Sequence, residues 1–355
     1  MRVAAAPHLA RRSVLTAALG GVCCGAFVPA RAGDTEDDDW ISFRTRFVAG
    51  DGRIIDNGNG GVSHSEGQGW GLMFAVAFDD RASFNRIYQW TRRVLRRPDN
   101  SLHAWRFVPA NRPPVGDLNN ATDGDIFIAA GLARAGRRWG QPDLLREAAA
   151  IARDIVALLV REAGPQLVML PGLQGFESKT AFTVNPSYYA LPMIAELARL
   201  APSPKWDRVQ TDGRALMERG RFGKWGLPPD WLHMNRAGGA LAPASGWPPR
   251  FGFDAIRVPL WHTWQSDPVG DLLRAVERYW SDYPADAPPA WADLETNETA
   301  PYPVTPGMAA VMRLTQAGMG LRANPDLPRV ASAGKYYDAA LMLLSRLAWQ
   351  ERRPA

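Results

Sequence analysis

The chain has 355 residues, of which 46% are hydrophobic and 22% are charged, and its formal net charge is +5 at pH 7. This length allows one large domain or two ordinary ones. Residues 1–32 hold four arginines and no acidic residue, so the rest of the chain has 37 basic and 36 acidic residues, a net charge of +1. A chain this close to neutral lacks the basic excess of nucleic-acid-binding proteins, and we expect no nucleic acid partner.

The first 32 residues have the layout of a secretory signal peptide. Arg11-Arg12 precede an apolar run at 14–27, and Ala30-Arg31-Ala32 supplies an A-x-A cleavage site. The paired arginines resemble a twin-arginine signal, although the run also suits the general secretory route. An uncleaved membrane anchor is the alternative, but the run is shorter than the roughly 20 residues of a spanning helix. We expect a periplasmic or secreted mature chain that begins near Gly33 and has no membrane span.

Both cysteines, Cys23 and Cys24, fall inside the predicted signal peptide. The mature chain would then have no disulfide, no thiolate nucleophile and no cysteine-ligated metal. No metal-ligand spacing relates the five histidines, which are His8, His64, His103, His233 and His262. We therefore expect neither a metal ion nor another cofactor.

From Glu66 onward, apolar residues recur at spacings of three and four, which is typical of amphipathic helices. The pattern predicts helices over residues 70–78, 82–95, 125–139, 144–160, 188–200, 206–218, 272–280, 306–317 and 336–349. The segments between them are rich in Gly, Pro, Asn and Asp and are predicted to be long loops. Two short stretches, 166–169 and 181–184, are predicted to pair as a small β-hairpin. No repeat or flexible linker divides the chain, so we expect one mostly α-helical domain whose loops build a cleft on one face.

Three separated segments set acidic residues beside glycines, and their acidic residues are Glu66, Asp123, Asp125 and Asp254. A structural interpretation exists for each segment. Ser63 and Glu66 have the spacing of a helix-capping box, and so have Thr122 and Asp125. The negative charge of Asp254 suits the start of a helix. Side chains with these roles would stabilise helices and carry no chemistry.

The functional interpretation is a pair of carboxyl groups that flank a glycosidic bond. One must be protonated to give its proton to the leaving oxygen, and the other must be ionised to take a proton from water. Glu66 lies near Trp70 and Met73, whose apolar bulk would raise its pKa by desolvation. Asp254 has Arg257 nearby, which would help to keep it ionised. These surroundings suit a protonated Glu66 and an ionised Asp254.

The chain has 14 tryptophans, most of which must pack in the core. Four of them, Trp105, Trp225, Trp231 and Trp247, lie in stretches rich in Gly and Pro. Aromatic faces exposed in a cleft stack on the C–H faces of sugar rings, and exposed apolar groups tend to mark binding surfaces. For each of the four, ligand contact and ordinary packing remain open.

Taken together, these segments resemble glycoside hydrolase family 8, and in particular its endoglucanases that accompany bacterial cellulose synthases. Residues 121–125, followed by Ile128-Ala129 and ending at Trp139, match the family signature at most positions, with departures at Gly131 and Ala133. The resemblance covers roughly residues 38–350. Three motifs in the right order are far more specific than one.

The resemblance implies a role for each matched residue. Residues 65–69 match the segment that carries the general acid, which implies Glu66, and residues 254–257 match the segment that carries the general base, which implies Asp254. Asp123 matches the aspartate that holds the sugar at the cleavage point. The implied substrate-binding residues are Asp123, Trp105, Tyr188 and Arg257. Phe253 stands where many members have tyrosine, so a hydroxyl near the catalytic water is missing.

The resemblance also implies an all-α (α/α)6 barrel with long loops forming a substrate cleft, and hydrolysis with inversion, for which the two carboxyls stand about 6.5–9.5 Å apart. The expected protein is an exported endo-β-1,4-glucanase with one catalytic domain over residues 33–355. Its partners would be a β-1,4-glucan chain and a cellulose synthase complex. Two alternatives remain: a family member that acts on xylan or chitosan, and a non-catalytic glucan-binding accessory protein of cellulose export.

Overall fold

The structure is a computed structural model that describes residues 32–352 except for residue 286. Residues 1–31, which include almost all of the predicted signal peptide, lie outside the described part. The α-helices of the described part are α1 (Ala32–Phe47), α2 (Ser65–Ala77), α3 (Arg81–Val94), α4 (Thr122–Arg138), α5 (Pro142–Leu158), α6 (Leu191–Leu200), α7 (Pro204–Arg219), α8 (Arg257–Trp264), α9 (Asp271–Ser281), α10 (Pro306–Gly318) and α11 (Tyr336–Arg352).

Six helices form an inner ring in the order α2, α4, α6, α8, α10 and α11. Neighbours in the ring run parallel: the position of Gly124 early in α4 meets the first turn of α2, and Gly307 early in α10 meets Asp338 early in α11. Helices α3, α5, α7 and α9 return the chain between them, and α1 packs on α11. Between α10 and α11 the return path, residues 319–335, holds a 3-10 helix, Val330–Ser332, that packs on α1. The predicted (α/α)6 barrel is confirmed.

Because the inner helices are parallel, all six begin at the same face of the barrel. The connections that lead into them are long: residues 48–64, 95–121, 159–190, 220–256, 282–305 and 319–335. The connections at the opposite face are short: residues 78–80, 139–141, 201–203 and 265–270. The long loops therefore gather around the helix N-termini, as expected for a cleft built on one face. Within the described residues, no helix combines the length and the apolar character needed to cross a membrane.

Helices α2 and α4 pack backbone against backbone at glycines. A Cβ atom at Gly69 would lie 2.5 Å from the Cβ of Phe127, and one at Gly124 would lie 2.7 Å from the backbone nitrogen of Glu66. Only glycine permits this approach. The contact sets the first turns of the two helices side by side, so that Glu66 and Asp123 are neighbours.

All nine predicted helices are present, and two further helices, α1 and α8, were not predicted. In α1 the buried residues Trp40, Phe43 and Phe47 follow helical spacing, but an acidic run precedes them. All eight residues of α8 are buried, so that helix has no polar face and no amphipathic period. The predicted helix over 188–200 is a 3-10 turn, Pro186–Tyr188, followed by α6.

The short strands form small antiparallel sheets on the long-loop face, with pairs β1–β2, β3–β4 and β8–β9 and a three-stranded sheet β5-β6-β7. Their bounds are β1 (Ser63–His64), β2 (Arg106–Phe107), β3 (Val160–Ala163), β4 (Gln166–Met169), β5 (Ala181–Val184), β6 (Leu232–Asn235), β7 (Leu241–Pro243), β8 (Arg250–Phe251) and β9 (Ala292–Asp293). The predicted hairpin is wrong. Both segments are strands, but β4 pairs with β3 through a tight turn in which Gly164 has φ +58°, and β5 pairs with the distant β6.

Candidate active site

The three acidic segments meet at a single guanidinium on the long-loop face. Arg257, the first residue of α8, donates from Nη1 to Glu66 Oε1 at 2.8 Å and to Asp123 Oδ2 at 3.3 Å. Its Nη2 donates to Asp254 Oδ1 at 2.5 Å. Glu66 and Asp123 lie in the first turns of α2 and α4, and Asp254 lies in the loop just before α8. The fold thus brings together four residues singled out in the sequence.

The guanidinium of Arg257 is buried, with 1% of the residue exposed. Its central carbon lies 5.8 Å from the ring centroid of Trp70 and 5.9 Å from that of Tyr188. Packing of this kind removes the rotamer freedom of a long side chain and adds cation–π attraction. The guanidinium is therefore fixed in position, and its hydrogen bonds hold the three carboxylates around it.

Glu66 is suited to carry a proton. Burial raises its pKa to about 8, the charges of Asp123 and Asp254 act in the same direction, and Arg257 opposes them. The guanidinium only donates hydrogen bonds, so Oε1 must be an acceptor and the proton of the neutral acid lies on Oε2. The side chain is 23% exposed, which leaves it accessible from the cleft.

Asp254 and Asp123 differ mainly in their exposure to solvent. The side chain of Asp254 is 32% exposed, so water can reach the carboxylate oxygen that Arg257 does not bind. The side chain of Asp123 is 1% exposed, and its Oδ1 accepts a hydrogen bond from the amide of Gly124 at 2.8 Å. Burial raises the pKa of Asp123 to about 6, and the charge of Arg257 opposes this effect. Asp254 can therefore contact a water molecule, whereas Asp123 is buried beside Arg257.

The capping-box interpretation is wrong for both segments. The Ser63 hydroxyl accepts a hydrogen bond from Arg53 at 3.1 Å, and Glu66 turns towards Arg257. Asp125 is buried, and its Oδ1 accepts from the amide of His103 at 2.9 Å and lies 3.0 Å from the ring Nδ1 of the same residue. Burial raises the pKa of Asp125. Asp125 thus fixes the position of His103, in the loop that leads to Trp105.

An aromatic cavity of about 270 Å³ adjoins the acidic cluster. Trp231 stacks on Trp247 with 4.8 Å between ring centroids and on Phe176 with 5.6 Å. Trp105 donates from Nε1 to Asp117 at 2.8 Å. The other residues that line the cavity are Asn119, Asn120, Ala121, Pro171 and Tyr188. Flat rings around a partly polar cavity suit a sugar, which has C–H faces and hydroxyl edges.

The loop tryptophans divide into two groups. Trp105, Trp231 and Trp247 line the cavity, so packing alone does not describe them. Trp225 is 6% exposed, packs edge-on against Tyr279 and donates from Nε1 to Asp282 at 2.6 Å. For Trp225 the ordinary packing interpretation is correct.

Two residues at the site were missed in the sequence. Asp230 Oδ1 accepts hydrogen bonds from the backbone amides of Asp254 and Ala255, and the hydroxyl of Tyr337 donates to the carbonyl of Phe253 at 2.5 Å. Phe253 itself is 46% exposed. Asp230 follows two prolines in a loop, where no periodic pattern marks it, and Tyr337 lies within an apolar helix pattern. No local signal distinguished either residue.

Comparisons with known proteins agree with this geometry. The family profile described as "Glycosyl hydrolases family 8" matches residues 21–351. A protein from Novacetimonas hansenii described as a probable endoglucanase is 44% identical over 339 residues, covering 94% of this chain and 98% of that protein. An endoglucanase from Cellulomonas uda is 41% identical over 276 residues, covering 78% of this chain and 76% of that protein.

A solved structure extends the agreement from sequence to fold. The endo-β-1,4-glucanase CMCax from Acetobacter xylinum matches with a TM-score of 0.86 at 44% identity, covering 90% of this chain and 99% of that one. The residues matched by the family profile include all three acidic segments. The chain belongs to glycosyl hydrolase family 8.

Proposed function

We propose that this chain is an endo-β-1,4-glucanase that hydrolyses internal bonds of cellulose with inversion, and that residues 33–355 form its one catalytic domain. The single observation that carries the proposal is the Arg257 guanidinium, which contacts Glu66 and Asp254 at once. The two carboxylates therefore lie on either side of one cation, an arrangement that supports an acid and a base flanking one glycosidic bond. The similarity to endoglucanases supports the choice of glucan.

Glu66 is the general acid in this mechanism. As the bond between the anomeric carbon and the glycosidic oxygen breaks, the proton on Oε2 passes to that oxygen, which leaves as the 4-hydroxyl of the departing chain. The raised pKa of Glu66, about 8, keeps this proton in place at neutral pH. Arg257 fixes Oε1 and so directs Oε2 to the leaving group.

Asp254 is the general base. Its free oxygen takes a proton from a water molecule while the water oxygen bonds to the anomeric carbon from the opposite face. The new hemiacetal has the inverted configuration. After the reaction Glu66 is ionised and Asp254 is protonated, and exchange with solvent through their exposed edges restores both groups.

Asp123 and Arg257 form the floor beneath the reacting sugar. Asp123 is buried against Arg257 in the free protein, so its proposed contact with a sugar hydroxyl requires a neighbouring side chain to move when substrate binds. Tyr188 is the neighbour that links this floor to the aromatic cavity. Trp105 and Tyr188 bind the sugars next to the cleavage point by stacking on their faces.

The place of the enzyme in the cell is a further part of the proposal. The signal-like residues 1–32 support export to the periplasm or the medium. There the enzyme would trim a nascent glucan chain beside a cellulose synthase complex. Deletion of the gene followed by measurement of cellulose yield and crystallinity tests this role, and unchanged polymer would contradict it.

The experiment that tests the activity is release of reducing ends from carboxymethylcellulose, xylan and chitosan by residues 33–355. Release from carboxymethylcellulose that is lost in Glu66→Gln is the expected result. Release from xylan or chitosan alone would keep the mechanism and change the substrate. Binding of cello-oligosaccharides without any release would support a non-catalytic accessory protein. Proton NMR of the first products, with the α-anomer appearing before mutarotation, tests inversion.

A further inference from the structure

A fourth carboxylate, Asp230, lies beside the proposed base and has no part in the steps above. Its backbone amide donates to the carbonyl of Arg250 at 2.6 Å. Its Oδ1 accepts from the amides of Gly252, Asp254 and Ala255 at 3.1, 3.0 and 2.7 Å. Asp230 therefore makes four hydrogen bonds with residues 250–255, the segment that carries the proposed base.

The fit of this segment around Asp230 is close. A Cβ atom at position 252 would lie 2.7 Å from Asp230 Oδ2, so a larger residue here would have to displace the Asp230 carboxylate. Three N–H groups that converge on one carboxylate oxygen favour its ionised form. Arg257 donates a hydrogen bond to the side chain of Asp254, and Asp230 accepts one from its main-chain amide.

Several charged or titratable groups face Asp254 from the surrounding elements. They are Glu66 of α2, Asp123 of α4, Tyr188 before α6, Arg257 of α8, Tyr337 of α11 and Asp230 of the loop before β6. Burial raises the pKa of Asp230 to about 7, and the charge of Asp254 adds to this effect. The charge on Asp254 therefore acts directly on the ionisation of Asp230.

We propose that Asp230 is a positioning residue for the general base, holding the main chain of residues 252–255 so that Asp254 meets the attacking water at the right distance. The inference rests on Asp254 being the base, as proposed above. A displacement of about 1 Å in a reacting group can cost about a hundredfold in rate. A carboxylate that fixes the base thus affects turnover more than substrate affinity.

Two variants separate the geometric role from the charge. Asp230→Ala removes the acceptor, and we expect kcat to fall about a hundredfold with little change in KM. Asp230→Asn keeps an oxygen that can accept the same N–H groups, so it should recover part of this loss. Asp293→Asn is the matched control, because Asp293 Oδ1 accepts from the amides of Glu295 and Thr296 in the neighbouring loop and holds none of residues 252–255. It should keep the kcat of the parent protein.

The dependence of kcat on pH gives a readout that a purely structural role would not move. In the parent protein, protonation of Asp230 near its raised pKa of about 7 weakens the acceptor and contributes to the acidic limb. Asp230→Asn cannot titrate, so we expect its acidic limb to move about one pH unit lower while the basic limb stays in place. Unchanged kcat and limbs in both variants would overturn the proposal.

The inference would also be overturned if kcat fell only in step with a lower melting temperature while the acidic limb stayed in place. Asp254→Asn is measured beside the Asp230 variants. Full activity in Asp254→Asn would remove the assignment of the base and the Asp230 proposal with it. Loss of activity there, with no effect of either Asp230 variant, would leave the base assigned and remove only the positioning role.

Discussion

Glu66 and Arg257, 191 residues apart in the sequence, lie in direct contact, with 2.8 Å between Oε1 and Nη1. A cation at this distance would ordinarily ionise a carboxyl group, but burial and two neighbouring acids raise the pKa of Glu66 to about 8. The contact therefore orients a neutral acid. It selects which oxygen carries the proton, and it leaves the proton available for transfer.

Replacement of Glu66 by glutamine should abolish turnover and leave the fold intact. Glutamine can still accept from Arg257 but has no acidic proton, so we expect kcat to fall by about 10³-fold or more. The matched control is Glu196→Gln, which removes a partly buried carboxylate paired with Arg134 on the opposite face. Kinetics and circular dichroism check both variants. Near-normal turnover in Glu66→Gln would exclude it as the acid.

The basic limb of the dependence of kcat/KM on pH should report the ionisation of Glu66. The reactive form is protonated, so activity should be present below the pKa of about 8 and lost as the pH rises through it. The negative charge of Asp123 helps to raise this pKa, so Asp123→Asn should move the limb to lower pH. A soluble chromogenic cello-oligosaccharide assayed from pH 4 to 10 tests this. A limb at the same pH in Asp123→Asn would contradict the coupling.

Replacement of Arg257 by methionine should destabilise the protein in a pH-dependent way. The change leaves three carboxylates without their shared cation, at a cost of about 3 kcal/mol, the lower end of the range because Glu66 and Asp254 are partly exposed. Carboxyls whose pKa is raised in the folded state favour folding at low pH and oppose it as the pH rises. The loss in urea unfolding should therefore be larger at pH 8 than at pH 5. Equal losses at the two values would contradict this assignment.

Two tryptophan variants should change different properties of the protein, one its substrate binding and the other its stability. Trp105→Ala removes a ring from the cavity, and we expect KM for cello-oligosaccharides to rise about tenfold, a loss of about 1.4 kcal/mol, with little change in melting temperature. Trp225→Ala empties a core position, so it should lower stability by about 3–5 kcal/mol and leave KM unchanged. Calorimetry and Michaelis–Menten kinetics distinguish the two. A raised KM in Trp225→Ala alone would reverse the assignments.

The glycine contact between α2 and α4 gives a prediction about stability. Alanine at position 69 would gain up to about 1 kcal/mol of helix propensity, but its methyl group would lie 2.5 Å from Phe127 Cβ. Overpacking against a neighbouring helix costs about 1–3 kcal/mol, so we expect net destabilisation. Gly239→Ala is the control, because a Cβ atom there would meet no atom within 4 Å apart from those of the adjoining residues. Urea unfolding of both variants tests the difference, and equal stability would contradict it.

The sequence predicted the helices and the acidic cluster because both leave local patterns. Glu66, Asp123 and Asp254 each lie in a short motif, and the motifs together resemble a family whose fold brings them together. The wrong predictions concern long-range choices. The partner of β5 lies about fifty residues away in β6, and α8 is buried on every side, so neither leaves a local pattern. Asp230 was missed because its function depends on amides more than twenty residues further along the chain.

The dipoles of the parallel inner helices all point the same way along the barrel axis. Each helix carries a partial charge of about +0.5 at its N-terminus and about −0.5 at its C-terminus. The positive ends of α2, α4 and α8 lie at Glu66, Asp123 and Asp254, while the last turns at the opposite face carry Arg137, Arg138, Arg199 and Arg352. The direction of the chain through the ring therefore favours carboxylates at the face where the inner helices begin and cations at the opposite face. If these helices ran the other way, the same acids would meet negative helix ends, which would disfavour their ionised forms.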